Sequence, residues 1–269
     1  MHPVINLFGF KIYSYGLMIL LASIMGMLPA SLVAKKKSLS AETEFLFLLN
    51  TALGAMIGAK LFYLLPRIIE VWEYRGEIFK SAESIIAFIG AGFVFYGGLL
   101  GGIVTAIIYC RYYKEPLVTM VDIAVPFLPL AHGIGRIGCF LAGCCYGIPS
   151  ERFGIAFTSS IGAPNGIPLF PVQLLEAGIN FLLGIVLVLY SRKERKPFSV
   201  LGLYLTVYPI ERFLLEFLRW DELRGIYFGL STSQWLSLAI LPLGLYLLIT
   251  KSFTGSKFER WLNSVKSAN

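Results

Sequence analysis

Apolar residues in this chain come in runs long enough to cross a bilayer, and each run ends at a short polar or basic cluster. A crossing helix needs about 20 predominantly apolar residues to span a hydrocarbon core of about 30 Å. Such runs cover about 13–34, 45–65, 93–109, a stretch from about 117 into the Gly/Cys-rich segment 139–147, then 171–190, 200–218 and 231–250. Between the second and third lies an amphipathic stretch, about 67–84, with Trp72, Glu73, Tyr74, Arg75, Glu77, Lys80 and Glu83. It is too polar to cross and is expected along an interface. A polar, Gly- and Pro-containing outer loop covers about 148–169. The pattern predicts an all-α integral membrane protein with about seven transmembrane helices. It reads as a single polytopic domain over 1–269, without repeats or a soluble domain.

Composition agrees with the pattern. Hydrophobic residues make up 57% of 269, mean hydropathy is +0.73, and charged residues reach only 14%, against roughly 25% in soluble domains. The net charge of +7 and pI near 9.2 do not indicate nucleic acid, because the basic residues form no single patch. They sit between apolar runs and act as topology signals. With alternating spans, 13 of the 23 Lys and Arg share one side, among them Lys35, Lys36, Lys37 and the tail residues Lys251, Lys257, Arg260 and Lys266. Seven, including Arg67, Arg75, Arg219 and Arg224, fall on the other. The positive-inside rule then puts the N-terminus outside and the C-terminus in the cytoplasm. No cleavable signal peptide is expected, since the first run is long, lacks an A-x-A-like site and opens a series of similar runs.

Three basic residues, Lys60, Arg136 and Arg212, lie inside apolar spans. A charge at mid-membrane costs at least about 2.5–3.5 kcal/mol, so it marks function or a buried ion pair. His132, Arg136 and Cys139 stand at i, i+4 and i+7 and share a helix face; Arg212, Glu216 and Arg219 repeat the spacing. Glycines 133, 135 and 138 thin the helix around Arg136 and allow close approach. One reading is that Glu176, Glu211 or Glu216 pairs with these arginines and only locks helices together. The favoured reading is a phosphate site, because arginine presents a fixed fork of donors and a lipid headgroup is the anion at that depth. Lys60 is expected to snorkel to the nearby outer surface. Gln173 and Glu176 open span five, where a carboxylate suits a helix N-terminus. Gly97 with Gly101, and Gly98 with Gly102, form overlapping small-xxx-small pairs that predict helix packing. Tyr96 and Tyr15, near span ends, read on spacing alone as aromatic-belt residues. Cys139, Cys144 and Cys145 with His132 raise the question of metal. Cys139-x4-Cys144 has no clear second ligand pair, so no metal is expected, and the cysteines read as small apolar filler.

Several segments together resemble the bacterial prolipoprotein diacylglyceryl transferases: Tyr15-Gly16-Leu17, GAKLFY at 58–63, YGGLLGG at 96–102, GRIGCFLAGCCYG at 135–147, PVQLLEA at 171–177 and RFLLEFLR at 212–219. The resemblance spans nearly the whole chain, and Arg136 with its flanking glycines is its most specific part. It implies transfer of a diacylglyceryl group from phosphatidylglycerol to the lipobox cysteine in the signal peptide of a prolipoprotein. The product is a thioether, made at the outer face of the bacterial cytoplasmic membrane. By this resemblance Arg136 holds the donor phosphate, and Arg212, oriented by Glu216, stabilises the departing glycerol phosphate. Tyr15, Gln173, Glu176, Gly97, Gly98 and Gly147 fall in the segments that shape the donor site. No cofactor is implied, and a monomer among membrane lipids is expected. The chain departs from the family pattern where Tyr96 replaces a histidine expected to be the base. Cys139, Ala142 and Cys144 replace two asparagines and a glutamate. A phenol is a poor base at neutral pH, which leaves open Tyr96 beside an arginine, His132, or no dedicated base. The rival readings are a related transferase with another acceptor, a non-catalytic phospholipid-binding or translocating protein, and thiol–disulfide chemistry at Cys144 and Cys145.

Overall fold

The computed structural model describes residues 4–7, 10–36, 39–82, 84–85, 88, 94–160, 162–193, 195–220 and 225–250. Lys37, Glu83, Phe93, Arg224 and the basic tail from Lys251 onward lie outside the described residues. The chain begins with a hairpin, β1 (Val4–Leu7) paired antiparallel with β2 (Phe10–Tyr13), and runs directly into α1 (Ser14–Lys36). It is then mainly helical. In order come α2 (Ala41–Leu64), short α3 (Ile68–Glu73) and α4 (Arg75–Ile78), α5 (Phe95–Tyr113), α6 (Leu117–Ala124), α7 (Leu128–Ala142), α8 (Val172–Ser191), α9 (Ser199–Leu215) and α10 (Thr232–Ile249). Five runs are long and apolar enough to cross a membrane: Ser14–Ser31, Ala41–Glu73, Leu117–Ala142, Val172–Ser191 and Thr232–Ile249. Helices also stand at the third and sixth positions that hydropathy picked, as α5 with 19 residues and α9 with 17.

The helices fall into two compact units, residues 38–120 and residues 1–37 with 121–269. In the first, Ser40 caps α2 by accepting from the Thr43 backbone N–H. The α2–α5 contact is made through glycine. A Cβ on Gly58 would lie 2.9 Å from the Gly101 Cα, and one on Gly101 would press into the Gly54 carbonyl. Only glycine lets these two backbones meet. Lys60 bonds to the Phe88 carbonyl, its ammonium 4.5 Å from that ring's centre. The run through Ala41–Glu73 is 33 residues, about 50 Å at 1.5 Å per residue. It outreaches the hydrocarbon core, and beyond Pro66 the side chains of Ile69 and Trp72 are exposed.

In the second unit α1 packs on α7, with Gly26 opposite Ala131, and α9 packs on α10 through Gly202 and Gly244. A core of Val125, Leu183, Leu187 and Val200 ties the base of α7, α8 and α9 together. Asp122 accepts from the Phe198 backbone N–H at 3.1 Å, fixing the start of α9. The segment 148–169, expected as an irregular loop, has a small core of its own. Phe157 and Leu169 are fully buried there, and β3 (Ile155–Ala156) pairs with β4 (Pro168–Leu169).

Candidate active site

Helix α7 meets α8 closely because Gly133 presents no side chain. A Cβ there would lie 2.8 Å from the Phe181 ring and 3.1 Å from the Ala177 carbonyl. That closeness brings Arg136 Nη2 to 2.9 Å from Glu176 Oε1, with the two side chains 12% and 2% exposed. His132, one turn earlier on α7, holds Nε2 3.8 Å from the same oxygen. Its ring lies 5.3 Å from that of Tyr208 on α9. The polar path continues inward. Asn180 Nδ2 donates to the Glu176 backbone carbonyl and to Glu211 Oε1, each at 2.9 Å.

Arg212 lies at the end of α9, buried like Glu176. Its Nη2 is 2.7 Å from Glu216 Oε2 and 3.0 Å from Ser233 Oγ at the start of α10. Helix α9 tightens to a 3-10 turn over Glu216–Leu218, and Arg219 Nη1 lies 3.8 Å from Glu216 Oε2. Glu211, which Asn180 links to the Glu176 carbonyl, directly precedes Arg212 on α9, so one polar path runs between the two cations. Each already has a carboxylate, yet Arg136 Nε and Arg212 Nη1 are buried without a hydrogen-bond partner among the described residues. An unmade bond to a buried charged group costs at least about 1–3 kcal/mol. An anion entering here finds two directed donors.

The remaining expected residues surround this pair or sit apart from it. Gln173 is buried and its Nε2 donates to the Cys144 carbonyl at 2.8 Å. Tyr15, half-exposed on α1, packs on Gly138, where a Cβ would lie 3.3 Å from its ring. Gly147 is hemmed by the carbonyls of Phe170 and Leu218 and bridges to Arg219. Tyr96, Gly97 and Gly98 belong to α5 in the other unit, where Tyr96 is exposed and Gly97 is closed against Gly58 and Phe62. Asn180, Ser233 and Tyr208 are polar members of the site that sequence reading missed. Asn180 had a usable signal, standing four residues after Glu176 on the same face. Ser233 had none.

After α7, Gly143 takes a left-handed conformation, φ +72°, and Cys145 follows with φ +55°. The chain doubles back, the Cys144 N–H bonds to the Cys139 carbonyl at 3.0 Å, and all three cysteine sulfurs lie within 4.8 Å of one another. Shared hydrogen bonds with Cys139 and Cys144, then the Arg219 and Arg136 guanidiniums, draw the Cys145 thiol below its ordinary range. Hydrogen bonds with Cys139 and Cys145, then burial, hold the Cys144 thiol above it. Pro209, Phe213, Ser237 and Leu241 line an apolar groove between α9 and α10.

Known proteins share this arrangement of segments. The family model described as "Prolipoprotein diacylglyceryl transferase" matches residues 3–250. A protein of Clostridium tetani named phosphatidylglycerol–prolipoprotein diacylglyceryl transferase is 39% identical, over 91% of this chain and 96% of its own. A second protein of that name from Clostridium perfringens is 36% identical over 94% and 96%, and one from Finegoldia magna 32% over 91% and 93%. With the match running through both arginine segments and nearly the full length, the chain belongs to the prolipoprotein diacylglyceryl transferase family.

Proposed function

We propose that this protein transfers the diacylglyceryl group of phosphatidylglycerol to the lipobox cysteine of a prolipoprotein signal peptide. The sulfur forms a bond to the glycerol carbon as that carbon's bond to the phosphate oxygen breaks, and glycerol phosphate departs with the bonding pair. The observation that carries the reading is the pair of buried guanidiniums, each ion-paired to a carboxylate and each with a donor left over. Arg136 takes the donor phosphate, and Arg212, held by Glu216 and Ser233, takes the charge that develops on the leaving group. Aimed donors in a dry site lower such a barrier by several kcal/mol. Glu176 orients Arg136, while Tyr15, Gln173 and Gly147 shape the donor site. The apolar groove between α9 and α10 suits an acyl chain. His132, 3.8 Å from Glu176, is the acceptor for the thiol proton. The protein acts as a monomer in the bacterial cytoplasmic membrane. Its seven helices cross with the N-terminus outside, the C-terminus in the cytoplasm and the arginines toward the outer leaflet.

The test is transfer by the purified protein from phosphatidylglycerol to a lipobox peptide, read as the mass of the thioether product. The parent should form product. Arg136→Ala should form it at least about 10²-fold more slowly, while remaining inserted, and full activity of that variant would refute the assignment. A lipid-binding protein without turnover is the second reading, favoured by Tyr96 at the histidine position. It predicts co-purified phosphatidylglycerol and no thioether from the parent.

A further inference from the structure

We infer that Cys139, Cys144 and Cys145 form a three-thiolate site for one thiophilic divalent cation of the zinc class, with a fourth position open to the acceptor thiol. Sequence spacing argued against metal because a second ligand pair is missing. The fold supplies the third ligand from the adjacent residue. A glycine turn at Gly143 reverses the chain, and Cys145 adopts a left-handed backbone, which costs a non-glycine residue about 1–2 kcal/mol. The outcome of that costly turn is three sulfurs within 4.8 Å. Zinc–sulfur bonds of about 2.3 Å at tetrahedral angles need sulfurs about 3.8 Å apart, so side-chain rotation of up to about 1 Å closes the set. The turn is anchored from outside by Gln173 on the Cys144 carbonyl and by the Trp220 N–H on the Tyr146 carbonyl.

Three other features favour a cation here. All three cysteines are free, and Cys144 and Cys145 are partly exposed, so an ion has a way in. A bond between adjacent cysteines is strained, which disfavours a Cys144–Cys145 disulfide. Three thiolates and a divalent ion leave one net negative charge; Arg136 stands three residues before Cys139 on α7, and Arg219 pairs with Gly147, two residues past Cys145.

The role of the fourth position rests on the transfer proposed above. Binding the ion releases the three resident thiol protons to water. The acceptor thiol, once bound to the ion, is deprotonated near neutral pH and passes its proton to His132. Its sulfur then donates an electron pair to the glycerol carbon while the phosphate oxygen keeps the pair of the broken bond. A weak base suffices when the thiol is already acidified, which accounts for tolerance of Tyr96 at the family's histidine position.

The experiment uses full-length protein in detergent, with zinc content measured by elemental mass spectrometry and cobalt(II) as spectroscopic probe. About one ion per chain and sulfur-to-cobalt charge-transfer bands are expected. Serine at any one of the three positions should weaken zinc binding at least tenfold, since even outer partners of a metal site contribute 10- to 100-fold. Cys110→Ser, on α5 and outside the cluster, should bind normally. A lipobox peptide with cysteine should shift the cobalt bands, and its serine analogue should not. A folded parent without metal or bands overturns the site, even if it transfers lipid. Bands indifferent to the cysteine peptide, or transfer unchanged after chelation, overturn the fourth-position role. Bands that shift with no thioether formed under any condition support the site and sink the transfer reading instead.

Discussion

The α2–α5 pair and the α7–α8 pair use glycine for the same purpose and reach opposite ends. In the first, Gly54, Gly58, Gly97 and Gly101 bring two backbones together, and the polar link across them is neutral, from the Tyr109 hydroxyl to the Thr43 carbonyl. The buried carboxylate in that unit, Glu44, has neither oxygen hydrogen-bonded among the described residues. In the second, Gly133 draws α8 in so that a guanidinium on one helix meets a carboxylate on the other. Glycine spacing alone therefore announces close packing, not chemistry. A cation and an anion placed on the two helices that glycine joins turn packing into a site.

The largest effect expected from breaking this contrast is on transfer. Arg136→Ala and Arg212→Ala should each lower kcat by about 10²- to 10³-fold, the typical loss of one charge-stabilising donor, measured by product formation at saturating lipid. His132→Ala should lower transfer by about 10²-fold if it takes the thiol proton, with Tyr96→Phe near parent. The reverse outcome would give the proton to Tyr96. In the packing pair, Gly101→Leu should destabilise the fold by about 1–3 kcal/mol through overpacking, read by thermal denaturation in detergent, while transfer per folded molecule is kept. The smallest change is Glu44→Gln, expected within about 1 kcal/mol of the parent, because an amide of the same shape replaces a carboxyl group whose oxygens make no hydrogen bond among the described residues. A large loss at Glu44 would erase the distinction between the two regions.

Much of this was legible in one dimension. Hydropathy located helices at seven positions, because length and apolarity are properties of consecutive residues. It also singled out Arg136 and Arg212, since a cation in hydrocarbon stands out against any background. Glu176 was one of three candidate partners for them, and only the α7–α8 contact made it the partner of Arg136. Ser233 and Tyr208 are invisible in sequence because a serine in the first turn of a helix and a tyrosine within an apolar helix are both ordinary. Segment 148–169 was read as loop because its buried residues, Phe157 and Leu169, lie twelve positions apart with no period to join them. The cysteines were read as filler because the turn that gathers them is set by backbone angles at Gly143 and Cys145, not by spacing.

One feature outside the helices governs how far apart the two cations stand. Main-chain pairing of Gly147 with Arg219, of the Ile148 N–H with the Leu218 carbonyl and of the Trp220 N–H with the Tyr146 carbonyl stitches the strand leaving Arg136's helix to the strand leaving Arg212's. The spacing of the two guanidiniums is thus set by main-chain bonds and is indifferent to most side-chain replacements along either segment. On the proposed reading, the side chains lining the site can change without changing the size of the headgroup that the two cations measure.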